Sequence, residues 1–230
     1  MHIDAWSATG ISVLVGLAAT VVGFPFALSL GWLLARKAFW GKSLVSALLL
    51  APLALPPVVV GLALLRIFGR ASAPGRMLHS IGIDIPFTLA GVIAASVLVG
   101  LPLYAMATRD AIRSTDRRIE EVALTFGHRP WQVFWRITFP SALPGVASGA
   151  LLAFARALGE FGATAVISGN IEGKTRTLSL AIYALLDTPG QDGKVTQLAV
   201  TSTLFALATV IAYEALARWQ ERRASRDDAR

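Results

Sequence analysis

Five stretches of this chain are apolar over lengths that match the thickness of a lipid bilayer. A helix needs about 20 consecutive, mostly apolar residues to cross the hydrocarbon region. The stretches of this kind are residues 11–35, 43–65, 87–108, 141–168 and 195–217. They occupy most of the 230 residues, and 55% of all residues are hydrophobic. We therefore predict an all-α membrane protein with about five transmembrane helices, folded as a single domain over residues 1–230.

Positive charge is distributed unequally among the segments that connect these stretches. Of the 21 Lys and Arg residues, three lie in 36–42, six in 109–136 and five in 218–230, whereas 66–76 and 174–194 hold three each. Five crossings place the first three segments on one side of the membrane and the other two on the opposite side. Because Lys-rich and Arg-rich short loops stay in the cytoplasm, we predict an external N-terminus and a cytoplasmic C-terminus. This topology explains the net charge of +7 without a nucleic-acid partner.

No residue pattern indicates catalysis or metal binding. The chain has no cysteine, and His2, His79 and His128 lie in different predicted segments. Residues 169–175 end in Gly-Lys-Thr, but they have three residues between the glycines where a phosphate-binding loop needs four. We therefore predict no catalytic residue, no metal site and no cofactor bound by this chain. An intramembrane enzyme lacks support for the same reasons, and a scaffold would not need the broken span and buried charges described below.

Residues 115–140 form a polar connection between the third and fourth stretches that is unusually long for a membrane protein. Its apolar residues recur at helical spacing: Ile119, Val122, Ala123 and Phe126. Thr115 or Asp116 can cap the start of this helix. Gly127 can end it in the left-handed conformation, and Pro130 suits the first turn of a second helix. We predict two short helices separated by a glycine break, on the cytoplasmic side, and a docking surface for a soluble partner.

Three prolines interrupt the second apolar stretch. Pro52, Pro56 and Pro57 each remove a backbone donor and break a helical hydrogen bond. In a membrane such a break persists where protein covers it or where it lines a wet cavity. We predict a functional bend at Pro56 and Pro57 beside a translocation pathway, with an ordinary kinked helix as the alternative.

The fourth stretch contains two charged residues, Arg156 and Glu160. A charge that faces lipid costs about 2.5 kcal/mol or more. Residues four apart share a helix face, so these two can neutralise each other. Two interpretations stay open: a structural ion pair that fixes the bundle, or a gate or lining for the path of a charged solute. In the second case Thr164 and Ser168 would add passing contacts to an anion.

The connection also carries a motif with fixed spacing, formed by Glu121, Ala123, Gly127, Ile137 and Pro140. These residues resemble the EAA motif of the permease subunits of bacterial ABC importers. Val122 replaces an alanine of that motif and Phe139 a leucine, and both substitutes are apolar. The resemblance implies a MetI-like permease fold, with this segment as a coupling helix in a groove of the ATPase subunit. It assigns coupling to Glu120, Glu121, Ala123, Gly127, Ile137 and Pro140.

The resemblance extends over most of the chain. Residues 53–61 and 154–163 are similar to the molybdate and sulfate permease branches. Residues 169–177 and 183–190 look most like the molybdate branch. The resemblance therefore implies import of molybdate, with tungstate as a second candidate substrate. A sulfate or thiosulfate importer is the alternative.

The resemblance also implies the partners. Two copies of the chain would form the pathway, and two cytoplasmic ATPase subunits would use ATP and Mg²⁺. A periplasmic or external molybdate-binding protein would deliver the anion to residues 66–86 and 171–194. The permease itself would bind no ATP, and it would lie among the lipids of the bacterial cytoplasmic (inner) membrane. Transport would proceed by alternating access.

Overall fold

The computed structural model describes the backbone of residues 5–227 and the side chains of residues 7–219. This part of the chain consists of helices and the turns that join them. The helices are α1 (Ala5–Arg36), α2 (Lys42–Ala54), α3 (Pro57–Phe68), α4 (Ala73–Ser80), α5 (Leu89–Ser114), α6 (Arg117–Thr125), α7 (Pro130–Val133), a π-helical turn (Phe134–Thr138), α8 (Phe139–Leu158), α9 (Gly162–Ser168), α10 (Leu178–Leu186) and α11 (Asp192–Asp227).

Three long helices, α1, α5 and α8, pack together at the centre of the bundle. Gly31 near the end of α1 faces Thr108 near the end of α5, so these two helices run in the same direction. Gly145 near the start of α8 faces Ala111 near the end of α5, so α8 runs the opposite way. A Cβ added to Gly31 would lie 2.7 Å from a methyl carbon of Thr108. Glycine at this position therefore permits the close approach of α1 to α5.

The second apolar stretch does not form one straight helix. The direction of the chain changes by 113° from α2 to α3, at the break between Ala54 and Pro57. Leu49 of α2 shares a buried cluster with Ile112 near the end of α5, whereas Leu64 of α3 shares one with Ala95 near its start. The bent pair therefore carries the chain from one end of the bundle to the other. The predicted bend is present, and the prolines divide the predicted span over 43–65 into two helices.

The fourth apolar stretch also differs from the prediction of one span over 141–168. The helix begins at Pro130 and continues through the π-helical turn. Phe134 in that turn packs edge-on against Trp32 of α1. It ends at Leu158, since the chain turns at Gly159 and α9 starts separately at Gly162. The sequence predicted a separate short helix from Pro130, whereas the structure joins this segment to the span through the π-helical turn.

The last two helices complete the bundle. α10 packs beside the beginning of α1, and Ala8, Leu178 and Leu198 lie in one buried cluster there. α11 starts at this end and packs along α8, so it runs in the same direction as α1 and α5. The described chain therefore begins and ends at opposite ends of the bundle. We call these the α10 end, where α1 begins, and the α6 end, where α1 and α5 finish. Within the described residues, four helices are long and apolar enough to cross a membrane, and the bent pair makes a fifth candidate.

Candidate functional site

The connection between α5 and α8 forms α6, a glycine break and α7. Asp116 caps α6, because its Oδ1 atom accepts a hydrogen bond of 2.8 Å from the backbone N–H of Arg118. At the other end Gly127 has a φ of +83°, the left-handed conformation that side chains other than glycine adopt at a cost. The glycine break has the form that the sequence predicts, whereas the second short helix is not separate, because it continues into α8.

α6 presents apolar side chains that the rest of this chain leaves uncovered. Ile119 and Val122 are about half exposed, and Phe126 is 80% exposed. Ala123 points the other way and is buried. The apolar residues predicted to share one face therefore lie on two sides of the helix, and Ala123 is the one that packs against the bundle. The three larger side chains are available to a partner, because apolar groups clustered in the open mark interaction surfaces.

Glu120 connects α6 to two other parts of the bundle. Its Oε1 atom accepts a hydrogen bond of 2.6 Å from Nη2 of Arg36 and one of 2.8 Å from Oγ1 of Thr138. Nη2 of Arg36 also donates to the backbone oxygen of Thr115, at 3.2 Å. The side chains of Arg36 and Glu120 are only 13% and 14% exposed. Charge-assisted hydrogen bonds therefore hold the first turn of α6 against the end of α1 and against the π-helical turn.

Glu121 has different surroundings from its neighbour. Its Oε1 atom lies 3.2 Å from Nε of Arg117, one helical turn earlier, and both side chains are mostly exposed. An exposed pair of this kind contributes about 0.3–0.5 kcal/mol. The spacing of the motif points to Glu121, whereas the bonds that fix α6 are made by Glu120. This contact could not be predicted from local sequence, since Arg36 is 84 positions away from Glu120.

Ile137 and Pro140, the last two residues of the predicted coupling set, lie where the connection joins α8. Ile137 is half-buried in the π-helical turn, and Pro140 is in the first turn of α8. Proline has no N–H to donate, so the helical hydrogen bonds around it must be rearranged. The π-helical turn ends two residues before Pro140, where such a rearrangement is needed.

Arg156 and Glu160 form an ion pair at the end of α8. Nη1 of Arg156 lies 2.9 Å from Oε2 of Glu160. The prediction that both lie on one helix is wrong, because α8 ends at Leu158 and Glu160 is in the break that follows. The other oxygen of Glu160 accepts a hydrogen bond of 2.9 Å from the N–H of Ala163 in the first turn of α9. Glu160, which is 1% exposed, therefore holds α9 to α8.

Thr164 and Ser168, the predicted passing contacts, are fully buried in this structure. Oγ1 of Thr164 donates to the backbone oxygen of Phe161, at 2.8 Å. Ser168 packs against Gly91 of α5, and its backbone oxygen accepts a hydrogen bond from Thr175. In this arrangement the two hydroxyl groups face the protein interior.

Pro56 and Pro57 lie at the α2–α3 bend and are exposed. A Cβ added to Gly162 of α9 would lie 2.9 Å from Cβ of Pro57, and one added to Gly61 of α3 would lie 2.5 Å from the backbone oxygen of Ala163. The start of α9 therefore rests directly on the start of α3. The structure brings together the proline bend and the break at Glu160, which are about 100 residues apart in the sequence.

The loops at the α10 end, which include the segment 169–177 that resembles the molybdate branch, contain two further polar groups. Arg176 is 6% exposed, and its Nε donates to Oδ1 of Asn170 at 2.7 Å. Asp84 accepts a hydrogen bond of 3.0 Å from Nη2 of Arg70, and this bond is the main reason that the pKa of Asp84 is lowered. Within the described residues, no group of three or more His, Cys, Asp or Glu side chains is arranged to hold a metal ion.

Comparison with known proteins places this bundle in a family. Residues 23–226 match the family described as "Binding-protein-dependent transport system inner membrane component". The chain belongs to this family. It is therefore a multi-pass component of the cytoplasmic membrane, and the resemblance to importer permeases seen in its motif is confirmed.

Individual relatives narrow the likeness. The permease is 40% identical over 222 residues to the molybdenum transport system permease protein ModB of Escherichia coli K12, covering 96% of this chain and 97% of the relative. It is 36% identical over 213 residues to the sulfate transport system permease protein CysW of Synechocystis, covering 91% and 76%. A solved structure of the MetNI methionine ABC transporter has the same fold, with a TM-score of 0.65, 16% identity and coverage of 94% of each chain.

Proposed function

We propose that this chain is the permease subunit of an ATP-driven importer that moves molybdate across the cytoplasmic membrane. The observation that carries this proposal is the 40% identity to a molybdenum transport permease over nearly the full length of both chains. The match to a sulfate permease has lower identity and covers less of that protein. Molybdate is therefore the favoured substrate, and sulfate is the alternative that an experiment must exclude.

In this proposal α6 is the coupling helix and docks into the ATPase subunit. Its exposed side chains Ile119, Val122 and Phe126 offer an apolar surface, and Glu121 offers a charge at its edge. Gly127 sets the angle at which the chain leaves the helix. The bonds of Glu120 to Arg36 and Thr138 support this role, because they would transmit a displacement of α6 to α1 and α8. The ATPase would bind ATP and Mg²⁺, and this chain would supply no catalytic group.

The orientation follows from the distribution of positive charge. The connections at the α6 end carry more Lys and Arg than those at the α10 end. The rule that such segments stay inside places the α6 end in the cytoplasm, where ATPase subunits are available. An external binding protein would then approach the α10 end, where the loops around Arg70, Asp84 and Arg176 lie.

The pathway would lie between two copies of this chain related by a two-fold axis, the commonest symmetry of homo-oligomers. The exposed surface from Leu53 to Val59 at the α2–α3 bend supports a position beside that axis. Closure of the two ATPases would draw the coupling helices together and tilt the two bundles as rigid bodies. The substrate would thereby be exposed to each side of the membrane in turn.

The ion pair of Arg156 and Glu160 would have both of the roles that the sequence left open, as a structural contact and as part of the pathway. Glu160 is a structural group that caps α9, whereas the side chain of Arg156 keeps 29% of its surface exposed. A partly exposed guanidinium can attract a dianion without forming a deep trap, since Glu160 offsets its charge. Arg156 is thus the better candidate for a pathway contact than Thr164 or Ser168.

The decisive experiment is reconstitution of the permease with its ATPase and its binding protein in vesicles. ATP turnover and anion uptake would be measured with molybdate, tungstate and sulfate in turn. We expect molybdate to stimulate both, and sulfate to leave them at the level seen without an anion. Stimulation by sulfate but not by molybdate would contradict the proposed substrate, whereas no coupling to any ATPase would contradict the proposed class.

A further inference from the structure

An apolar groove runs along the surface at the α6 end, between α1 and the segment that leads into α8. It has a volume of about 590 Å³. Its walls include Leu28, Trp32 and Leu33 of α1 and, opposite them, Trp131, Phe134 and Trp135. Trp131 and Trp135 are 60% and 50% exposed. The size, the shape and the apolar walls suit a hydrocarbon chain.

The groove opens at one end into a polar cleft. The cleft has a volume of about 210 Å³ and shares Trp32 and Phe134 with the groove. It continues to three cations, namely Arg36, Lys37 and Arg117. The two adjoining spaces therefore offer apolar walls on one side and, on the other, three cations together with the carboxylates of Glu120 and Glu121, an arrangement that suits an amphiphilic molecule.

Only one of the three cations in the cleft lacks an acidic partner among the described side chains. Arg36 is bonded to Glu120, and Arg117 is paired with Glu121. Nζ of Lys37 lies 5.4 Å from the centre of the Trp32 ring, and this cation–π contact leaves its positive charge uncompensated. Lys37 is exposed, so a flexible ammonium group stands where the groove meets the cleft.

These features lie where a membrane meets water. Tryptophan and the basic residues are enriched at the level of the lipid headgroups, and long Lys side chains extend toward that level from within the bilayer. Trp40, a few residues beyond Lys37, is fully exposed. This composition is the one expected of a groove just inside the hydrocarbon region, with Lys37 at the depth of a lipid phosphate.

We propose that the groove binds an anionic phospholipid, with one acyl chain between Trp32 and Trp131 and the headgroup phosphate at Lys37. Zwitterionic lipids can fill the same groove, but they do not neutralise the free charge, so the site prefers an anionic headgroup. The assignment of this lipid to the cytoplasmic leaflet rests on the proposed function. The lipid site itself rests on the groove, the cleft and Lys37.

Quenching of tryptophan by brominated lipids tests the proposal, because bromine quenches a ring that it touches. Three of the six tryptophans of this chain line the groove. The full chain is placed in nanodiscs that contain brominated phosphatidylglycerol or brominated phosphatidylcholine at equal mole fraction. We expect stronger quenching by phosphatidylglycerol, and we expect Trp131→Phe to remove part of this difference.

Lys37→Gln should lower the relative affinity for phosphatidylglycerol about five-fold, the effect of one basic residue near an anionic surface. Lys174→Gln is the matched control, because Lys174 is also exposed but lies at the α10 end. Equal quenching by both lipids in the unmodified chain would overturn the proposal, and so would an equal loss in the two lysine variants. Protection of Trp131 from both lipids would also overturn it, since a protein surface would then cover the groove. Transport is not measured, so these results are independent of the substrate.

Discussion

Arg36 and Glu120 lie 84 positions apart in the sequence, and their side chains meet at 2.6 Å where α1 ends and α6 begins. This pair is largely shielded from water, and Thr138 shares the same carboxylate oxygen. A hydrogen bond to a charged group contributes about 1.5–3 kcal/mol, so the contact is strong enough to make α6 and the end of α1 move together.

The first prediction concerns the two adjacent glutamates of α6. Glu120→Gln should reduce coupled transport about ten-fold, because the loss of roughly 1.5 kcal/mol loosens α6 from α1 and the π-helical turn. Glu121→Gln is the matched control, because Glu121 is exposed and makes none of the bonds that anchor α6 to the bundle. This variant should leave the stability of the permease nearly unchanged. Thermal unfolding of the permease and anion uptake by the reconstituted transporter separate the two effects. Equal stability of the two variants would contradict the anchoring role of Glu120.

The second prediction concerns the glycine break. Gly127→Ala meets no atom within 4 Å, but it forces alanine into the left-handed conformation, at a cost of about 1–2 kcal/mol. The chain after α6 should therefore change direction, and less ATPase should co-purify with the permease. Gly193→Ala is the control, because it also meets open space but lies within α11, outside the left-handed region. Undiminished co-purification in the Gly127 variant would argue against a fixed exit angle.

The third prediction tests the exposed face of α6. Phe126→Ala should weaken binding of the ATPase about ten-fold or more, as expected for an exposed aromatic anchor of an interface. It should not destabilise the permease alone, because Phe126 is 80% exposed. Met77→Ala removes a side chain of similar exposure at the α10 end and should leave ATPase binding unchanged. Binding constants measured with the purified ATPase would decide between these outcomes.

The fourth prediction separates the structural and pathway roles of Arg156. Arg156→Ala leaves the carboxylate of Glu160 buried without its partner, which should cost roughly 3–5 kcal/mol of stability. In the double variant Arg156→Ala with Glu160→Gln, most of this loss should be recovered, because no buried charge remains. If Arg156 also attracts the anion, uptake should stay low in the double variant although its stability recovers. Full recovery of uptake would leave Arg156 with the structural role alone.

The fifth prediction concerns the contact of α3 with α9. Gly61→Ala places a Cβ 2.5 Å from the backbone oxygen of Ala163, so one of the two helices must shift. We expect a loss of about 1–3 kcal/mol, typical of overpacking a close contact. Gly10→Ala meets no atom within 4 Å and is a suitable helical control. Unfolding temperatures of the two variants in the same detergent would test this contact.

Hydropathy was sufficient to predict α1, α5 and α11, because a long apolar helix is determined by its own composition. At α2 and α3 it predicted one span with a break at the prolines, but proline fixes the position of the break and not its angle of 113°. It did not show that the short helix from Pro130 continues into α8, because the aromatic residues of this segment pack against a distant helix, α1. Bends and packing of this kind depend on neighbouring helices that are distant in the sequence.

The candidate site was partly predictable for the same reasons. Asp116 and Gly127 act on their own neighbourhood, so local rules for helix ends identified both of them. The bond of Glu120 to Arg36 joins distant segments, and no local rule could distinguish this glutamate from Glu121. Likewise the spacing of Arg156 and Glu160 predicted their pairing but not the end of α8 between them.

Where Gly61 crosses Ala163, an added Cβ would lie 2.5 Å from a backbone oxygen, so the main chains of α3 and α9 approach each other closely, and Gly162 packs beside Cβ of Pro57. In most helix pairs the side chains between the helices can accommodate a small displacement by changing rotamers. A contact of backbone with backbone has no side chains that could adjust in this way. We therefore expect α3 and α9 to move together as one rigid body. A displacement of either helix should then be passed to the other, so that the bend and the buried carboxylate move together.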